Sequence, residues 1–295
     1  MKLTEILNRK ELSLSFEVFP PKTQDNFEVI KDATEKIAAL HPSFVSVTYG
    51  AGGGTSEYTL EIAKNIKDRY NVETLAHLTC VSSSKKTIKD RIQDFKDKGI
   101  ENIMALRGDI PEDRLNEDRS NWDYQHAIEL VREIKDSGDF CIGGACYPET
   151  HPESASSKED IMHLKEKVDA GVDFLTTQMF FDNDLLYSFL YKIRDIGINV
   201  PIVAGIMPIT NAKQVERAIK LSGSFMPKKF INLVDRFGDD PIAMKQAGIA
   251  YATEQIIDLY ANNVTNVHLY TMNKPDVAQK IMNNLTDILG KWYTK

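Results

Sequence analysis

Along the chain, short runs of apolar and β-branched residues alternate with longer stretches whose apolar positions recur every three or four residues. This is the pattern of βα units that build a parallel sheet. Eight runs read as strands: Ser13 to Phe19, Phe44 to Tyr49, Val72 to Thr79, Asn102 to Arg107, Phe140 to Tyr147, Phe174 to Phe180, Ile202 to Met207 and Val267 to Thr271. Helical stretches follow them, as in Gln24 to Leu40, Lys85 to Lys98, Lys158 to Ala170 and Pro275 to Leu289. Ser157 stands where a helix would be capped, and Gly99 and Gly171 stand where a terminating glycine is expected, each before a strand. Pro227 to Asn262 reads as an extra helical insertion before the last strand. Eight parallel strands predict an α/β fold that closes as a single (β/α)8 TIM barrel over residues 1–295, in preference to an open doubly wound sheet. The glycine run from Gly50 to Gly54 follows a strand, but Thr55 occupies the last glycine position of a dinucleotide fingerprint, and no phosphate-loop lysine follows.

In such a barrel the carboxyl ends of the strands and the loops after them form the working face. Polar residues gather there: Glu17, Thr48 with Tyr49, His77, Arg107 with Asp109, Tyr147 with His151, Gln178, Asn211 with Gln214, and Tyr270 with Asn273. Strand alternation puts Leu14, Phe16 and Val18 on one face, toward the helices, and Ser13, Ser15 and Glu17 on the other. Glu17 therefore points at the barrel axis, where burial disfavours its charged form and raises its pKa toward that of a useful acid. A structural pairing with Arg or Lys is the other reading. Pro20-Pro21 fixes the chain as it leaves the strand.

Arg107 and Asp109 read as same-face positions after Ile103 and Ala105. They form either a plain salt bridge or a site in which Gly108 admits a flat ligand, Arg107 holds an anion and Asp109 accepts hydrogen bonds. His77 is equally readable as a core histidine. His151 lies in the rigid loop Tyr147-Pro148-Glu149-Thr150-His151-Pro152-Glu153, which favours ligand contact. His41, His126 and His268 have no pattern that lifts them above surface or packing roles. The histidines and cysteines lack metal spacing, so no metal is expected. No G-x-S-x-G elbow is present, which lowers covalent hydrolysis.

Composition narrows the class without changing the architecture. The net charge of −7 argues against general affinity for nucleic acid or acidic membranes. No apolar run is long enough to span a bilayer, and Met1 to Lys10 lacks the apolar core of a signal peptide. A soluble, cytoplasmic protein is expected. The three cysteines, Cys80, Cys141 and Cys146, are expected as buried thiols. Lys228-Lys229 reads as a solvated helix face. The sequence leaves a homo-oligomer open.

Several motifs in order resemble the methylenetetrahydrofolate reductase family over nearly the whole chain. They are Ser15-Phe16-Glu17-Val18-Phe19-Pro20-Pro21, Phe44 through Ala51, Ala76-His77-Leu78-Thr79-Cys80, Ala105-Leu106-Arg107-Gly108-Asp109, Tyr147-Pro148-Glu149 with His151-Pro152-Glu153, and Lys167 through Gly171 leading to Thr177-Gln178. The resemblance implies a flavoprotein that uses FAD and NADH or NADPH to convert 5,10-methylenetetrahydrofolate to 5-methyltetrahydrofolate by ping-pong kinetics, supplying methionine synthesis. It implies Glu17 as the acid that opens the folate ring and Asp109 as a charge beside pterin and flavin. Thr48, Tyr49, Ala51, His77, Arg107, Gly108, Tyr147, His151, Asp160, His163 and Lys167 would line FAD, with Gln178, Gln214 and Lys274 toward the substrates.

The chain departs from the bacterial family pattern at His163, where that pattern has asparagine, and at Glu166, where it has arginine. A glutamate cannot replace an arginine at a diphosphate. Lys274 in place of arginine keeps charge but loses bidentate geometry. The chain also ends soon after its last helix, so no C-terminal regulatory domain and no inhibition by S-adenosylmethionine is expected. Two rivals to this reading are a barrel hydrolase using Glu17 and Asp109 as paired carboxylates, and a non-catalytic flavin-binding partner subunit.

Overall fold

The structure, a computed structural model, describes residues 1–21, 26–49, 56–110, 114 and 117–290. Eight strands form a closed, all-parallel barrel in sequence order: β1 (Ser13–Val18), β2 (Val45–Val47), β3 (Thr74–Thr79), β4 (Asn102–Leu106), β5 (Cys141–Cys146), β6 (Phe174–Thr177), β7 (Ile202–Ile206) and β8 (Asn266–Tyr270). β1 closes the ring against β8, with Glu17 opposite Tyr270. The expected strands are all present, and most end one or more residues early.

The reason is visible at β1. Phe19 donates its N–H to Asn273 Oδ1 (3.0 Å) and its carbonyl accepts from Asn273 Nδ2 (2.9 Å), so a side chain from beyond β8 replaces a strand partner. Pro20 and Pro21 then have no N–H to give a ladder. Thr271 Oγ1 also donates to the Glu17 carbonyl at 2.5 Å, which clamps the backbone that carries the carboxyl.

The alternation on β1 is as expected: Leu14, Phe16 and Val18 are buried in the layer between strands and helices. The interior of the barrel is graded. At its amino end Phe44, Leu75, Met104, Cys141, Phe174 and Val203 form an apolar plug, sealed from below by Leu3, Ile6 and Leu7 around the helix Thr4–Leu7. Asn102 ties that seal to the barrel, accepting from Leu3 N at 2.8 Å and donating to the Thr74 carbonyl at 3.2 Å. Toward the carboxyl end the interior turns polar. All three cysteines are buried and unpaired.

Several helix ends differ from the sequence reading. The helix between β5 and β6 runs Ser157–Asp169 and is capped by Ser156, whose Oγ accepts from Glu159 N at 3.2 Å, so Ser157 is its first turn rather than its cap. The helix expected from Gln24 begins at Phe27, with Gln24 outside the described residues. Pro275–Asn284 is followed by a separate short turn, Thr286–Leu289. The insertion is two helices, Lys228–Phe237 and Pro241–Ala261. Asp240 restarts the chain by accepting from Ile242 N (2.9 Å) and Ala243 N (3.1 Å), and Pro241 suits the first helical position. Phe230 and Met244 of this insertion pack on Phe181, Met207 and Ile209 beyond β6 and β7. Gly99 and Gly171 do end their helices, with φ of +70° and +122°.

Candidate active site

A cavity of about 1040 Å³ opens at the carboxyl end of the barrel, at the upper end of the roughly 300–1,000 Å³ range of ligand pockets. Glu17 forms part of its floor with Ser46, His77, His268 and Tyr270. Thr48, Tyr49, Arg107, Gly108 and Asp109 line the β2 to β4 side. Tyr147, His151, Asp160, His163, Lys167 and Gln178 line the β5 to β6 side. Thirteen of the sixteen catalytic and binding residues expected from the resemblance thus share one space. Ala51 lies outside the described residues.

Gln214 and Lys274 stand apart from this cavity. They converge on Thr210 beyond β7: Gln214 Oε1 accepts from Thr210 N (2.7 Å), and Lys274 Nζ donates to Thr210 Oγ1 (2.9 Å). Both side chains are therefore committed within the rim, outside the lining of the main chamber.

Glu17 is the most perturbed acid. Burial pushes its carboxyl up to about 8. About 20 % of the side chain is open, but that fraction faces the chamber floor, so desolvation governs. Its Oε2 stands 4.0 Å from Nε2 of His77 and 4.0 Å from Nε2 of His268. Neither imidazole is a cation: burial brings His77 down to about 4, and burial with the neighbouring His77 brings His268 to about 3. The Arg or Lys partner that would have made Glu17 structural is absent among the described residues. Tyr270, opposite Glu17, donates its hydroxyl to the Thr177 carbonyl at 2.7 Å, and its acidity is suppressed by burial and then by Glu17.

Arg107 and Asp109 are at the site, but not by the face count that led to them. Ile103 and Ala105 belong to the outer layer against the helices, and that parity continued would turn Arg107 outward. β4 ends at Leu106, and Gly108 takes φ +87°, which redirects the chain. The glycine is not open space for a ligand either, since a Cβ there would lie 2.9 Å from Thr79 Cβ and 3.0 Å from Val81 Cγ1. Its small size lets β3 approach. Arg107 makes a bidentate pair with Glu153, at 2.5 and 2.7 Å, and that pairing raises its pKa against the cost of burial. Asp109 is exposed at the rim.

The β5 loop is held from within. Asp160 accepts from His151 N (3.0 Å) and Ser154 Oγ (3.3 Å), and His151 Nδ1 accepts from Glu153 N (3.1 Å). His151 meets Tyr147 edge-on, with centroids 4.5 Å apart. Lys167 reaches inward to the Ala145 carbonyl at 2.5 Å, its only hydrogen bond among the described residues, and burial lowers its pKa. Gln178 accepts from Met179 N at 2.9 Å through Oε1, and its side chain also hydrogen-bonds Tyr147 across the chamber wall. His163 and Glu166 are exposed at the cavity edge.

Sequence reasoning missed His268, Ser46 and His126, which also line the cavity. The signal for His268 was its parity: two residues before Tyr270 on β8, it shares the inner face. Among the described residues no cluster of His, Cys, Asp and Glu is arranged to hold a metal ion.

Fold and site together define a β/α-barrel enzyme whose chamber joins a neutral carboxylic acid on the floor to basic and aromatic groups on the walls. The methylenetetrahydrofolate reductase family model matches residues 2–286, and the chain belongs to that family. It is 36% identical over 283 residues to 5,10-methylenetetrahydrofolate reductase of Pectobacterium carotovorum subsp. carotovorum, covering 96% of this chain and 92% of that one. The corresponding enzyme of Escherichia coli (strain K12) is 34% identical, over 93% and 91% of the two chains. Methylenetetrahydrofolate reductase (NADH) 1 of Arabidopsis thaliana is 36% identical over 96% of this chain, which spans about 50% of the plant protein's length. Among solved structures, an uncharacterised Clostridium thermocellum protein that binds two copies of 5-methyl-5,6,7,8-tetrahydrofolic acid superposes with a TM-score of 0.61 over 97% of both chains. At 15% identity that likeness shows the fold.

Proposed function

We propose that the protein is a flavin-dependent reductase that converts 5,10-methylenetetrahydrofolate to 5-methyltetrahydrofolate at the expense of a reduced nicotinamide. The observation that carries this is Glu17, a carboxyl raised to about 8 on the floor of a chamber large enough for a dinucleotide cofactor. NADH in the name of the Arabidopsis relative supports NADH as donor, with NADPH the alternative. The product would feed methionine synthesis, and the reaction suits the cytoplasm. No helix among the described residues is long and apolar enough to cross a membrane.

The walls fit FAD. Lys167 is a half-buried ammonium whose one hydrogen-bond partner among the described residues is a carbonyl, so it has charge to give to a diphosphate. Arg107 stands on the wall with its fork held by Glu153, Tyr147 and His151 offer aromatic surface, and Thr48, Tyr49, His77, Gly108, Asp160 and His163 complete the lining. Glu166 carries the wrong sign for a diphosphate. Bound flavin would supply hydride transfer in two halves, taking hydride from the nicotinamide and delivering it to the folate in one shared pocket.

The chain's own residues do the rest. Opening the folate's five-membered ring requires a proton at N10, and Glu17 holds one at neutral pH. Asp109 would favour the cationic iminium that ring opening releases. Gln178 presents an amide to pterin or nicotinamide, and Gln214 with Lys274 marks the rim where the folate tail would leave. A hydrolase pairing Glu17 with Asp109 finds no support in the family match.

Anaerobic mixing first with NADH and then with methylenetetrahydrofolate, following flavin absorbance, tests the reading. The yellow colour is expected to bleach in the first step and return in the second. A protein that takes up no FAD, or whose flavin NADH does not reduce, overturns it.

A further inference from the structure

His268 is 2 % exposed and sits on the inner face of β8, stacked on Phe44 at 5.8 Å and edge-on to Tyr270 at 5.5 Å. Two other strands supply hydroxyls to its ring nitrogens. Nδ1 is 2.7 Å from Ser15 Oγ of β1, and Nε2 is 3.0 Å from Ser46 Oγ of β2. Ser15 Oγ is also 3.1 Å from the Val267 carbonyl, which can only accept. A hydroxyl has one proton to donate, and with that proton on the Val267 carbonyl Ser15 accepts Nδ1–H from the imidazole. A neutral imidazole carries a single N–H, so Nε2 is bare. It accepts from Ser46, and no N–H then stands on the edge nearest Glu17 Oε2, 4.0 Å away.

We propose that His268, locked as the Nδ1–H tautomer by Ser15 and Val267, is the positioning residue that keeps Glu17 in its acid form between turnovers. A carboxylate at this spot would gain no donor from His268, nor from Ser46, whose proton is held by Nε2. The groups around Glu17 are Ser46 from β2, His77 from β3, and His268 and Tyr270 from β8. Burial keeps both imidazoles neutral, so neither offers a cation to draw the proton off. The proposal rests on the reading of Glu17 as proton donor to the folate.

Two variants test it through the pH profile of the folate half-reaction. Ser15→Ala removes the lock and leaves the imidazole free to turn Nε2–H toward Glu17. His268→Gln sets an amide donor where the lone pair was. In each, folate reduction is expected to fall off with rising pH at a midpoint about one unit lower than in the unaltered protein, which is about tenfold in rate above that midpoint. The nicotinamide half-reaction, followed in the same samples, reports that the protein is folded and holds flavin. A rate lowered equally at every pH, with the midpoint unmoved, overturns the proposal and leaves His268 a packing residue.

Nitrogen NMR of the imidazoles in the unaltered, flavin-loaded protein gives a readout without turnover. Nδ1 protonated and Nε2 bare is the expected result, and Nε2–H overturns the lock. A protein that accepts hydride from NADH but reduces no folate at any pH removes the functional reading instead, and the tautomer is still decided by NMR.

Discussion

Glu17 and His77 face each other across the barrel floor at 4.0 Å, an acid and a base that burial holds neutral together rather than as an ion pair. The folded Glu17 titrates near 8 instead of its ordinary 4.5, so between those values the folded protein binds more protons than the unfolded chain. Stability of the ligand-free protein therefore falls as pH rises from about 4.5 to 8, by on the order of a few kcal/mol if the whole shift is expressed. Glu17→Gln should remove this loss. Melting temperatures measured across that range are expected to diverge in favour of the variant as pH rises, and parallel curves would contradict the assignment.

The two buried imidazoles act in the opposite direction. His77 and His268 are lowered to about 4 and about 3 from 6.5, so the folded protein binds fewer protons than the unfolded chain in that window. Their contribution is lost as pH drops below about 6.5. His77→Gln is expected to shift the midpoint of acid unfolding to lower pH, read by circular dichroism, and an unchanged midpoint would mean that His77 is not buried as a neutral base.

Lys167 should show the signature of a group kept for a ligand. Among the described residues its ammonium bonds only the Ala145 carbonyl, and burial disfavours its charge. Lys167→Met is expected to weaken FAD binding by at least about tenfold, the scale of one charge-assisted contact, without lowering the melting temperature of the ligand-free protein. Flavin titration and calorimetry on the same variant separate these effects. A fall in stability with flavin affinity intact would make the lysine structural.

At Gly108 the backbone conformation and the approach of β3 both exclude a side chain. Gly108→Ala forces φ +87° on a residue with a Cβ and drives that atom to within 2.9 Å of Thr79. A cost of about 1–3 kcal/mol in chemical denaturation is expected, together with weaker flavin binding as Arg107 and Asp109 on either side are displaced. A neutral substitution would mean that the loop adjusts freely.

The eight strands, the inward direction of Glu17 and the polar residues at the strand ends were legible because strand period and strand order are local properties of sequence, whereas Asp160, His163 and Lys167, on the helix Ser157–Asp169, came only from the family resemblance. Arg107 was found by an argument that fails in detail, since alternation stops where β4 stops and the turn at Gly108 does the aiming. His268 was passed over because its meaning comes from Ser15 and Ser46, more than 220 positions away in sequence, and only barrel closure brings β1, β2 and β8 together. Gln214 and Lys274 fall on the working face as expected, but their shared partner Thr210 could not be read from either.

The central claim is that Glu17 gives a proton to folate and takes no part in accepting hydride from the nicotinamide. Stopped-flow absorbance of flavin-loaded Glu17→Gln tests it directly, with the two half-reactions run separately. Reduction by NADH at a rate close to that of the unaltered protein, with reoxidation by methylenetetrahydrofolate slowed by at least about a hundredfold, is the predicted result. Reoxidation by folate at an undiminished rate would contradict it.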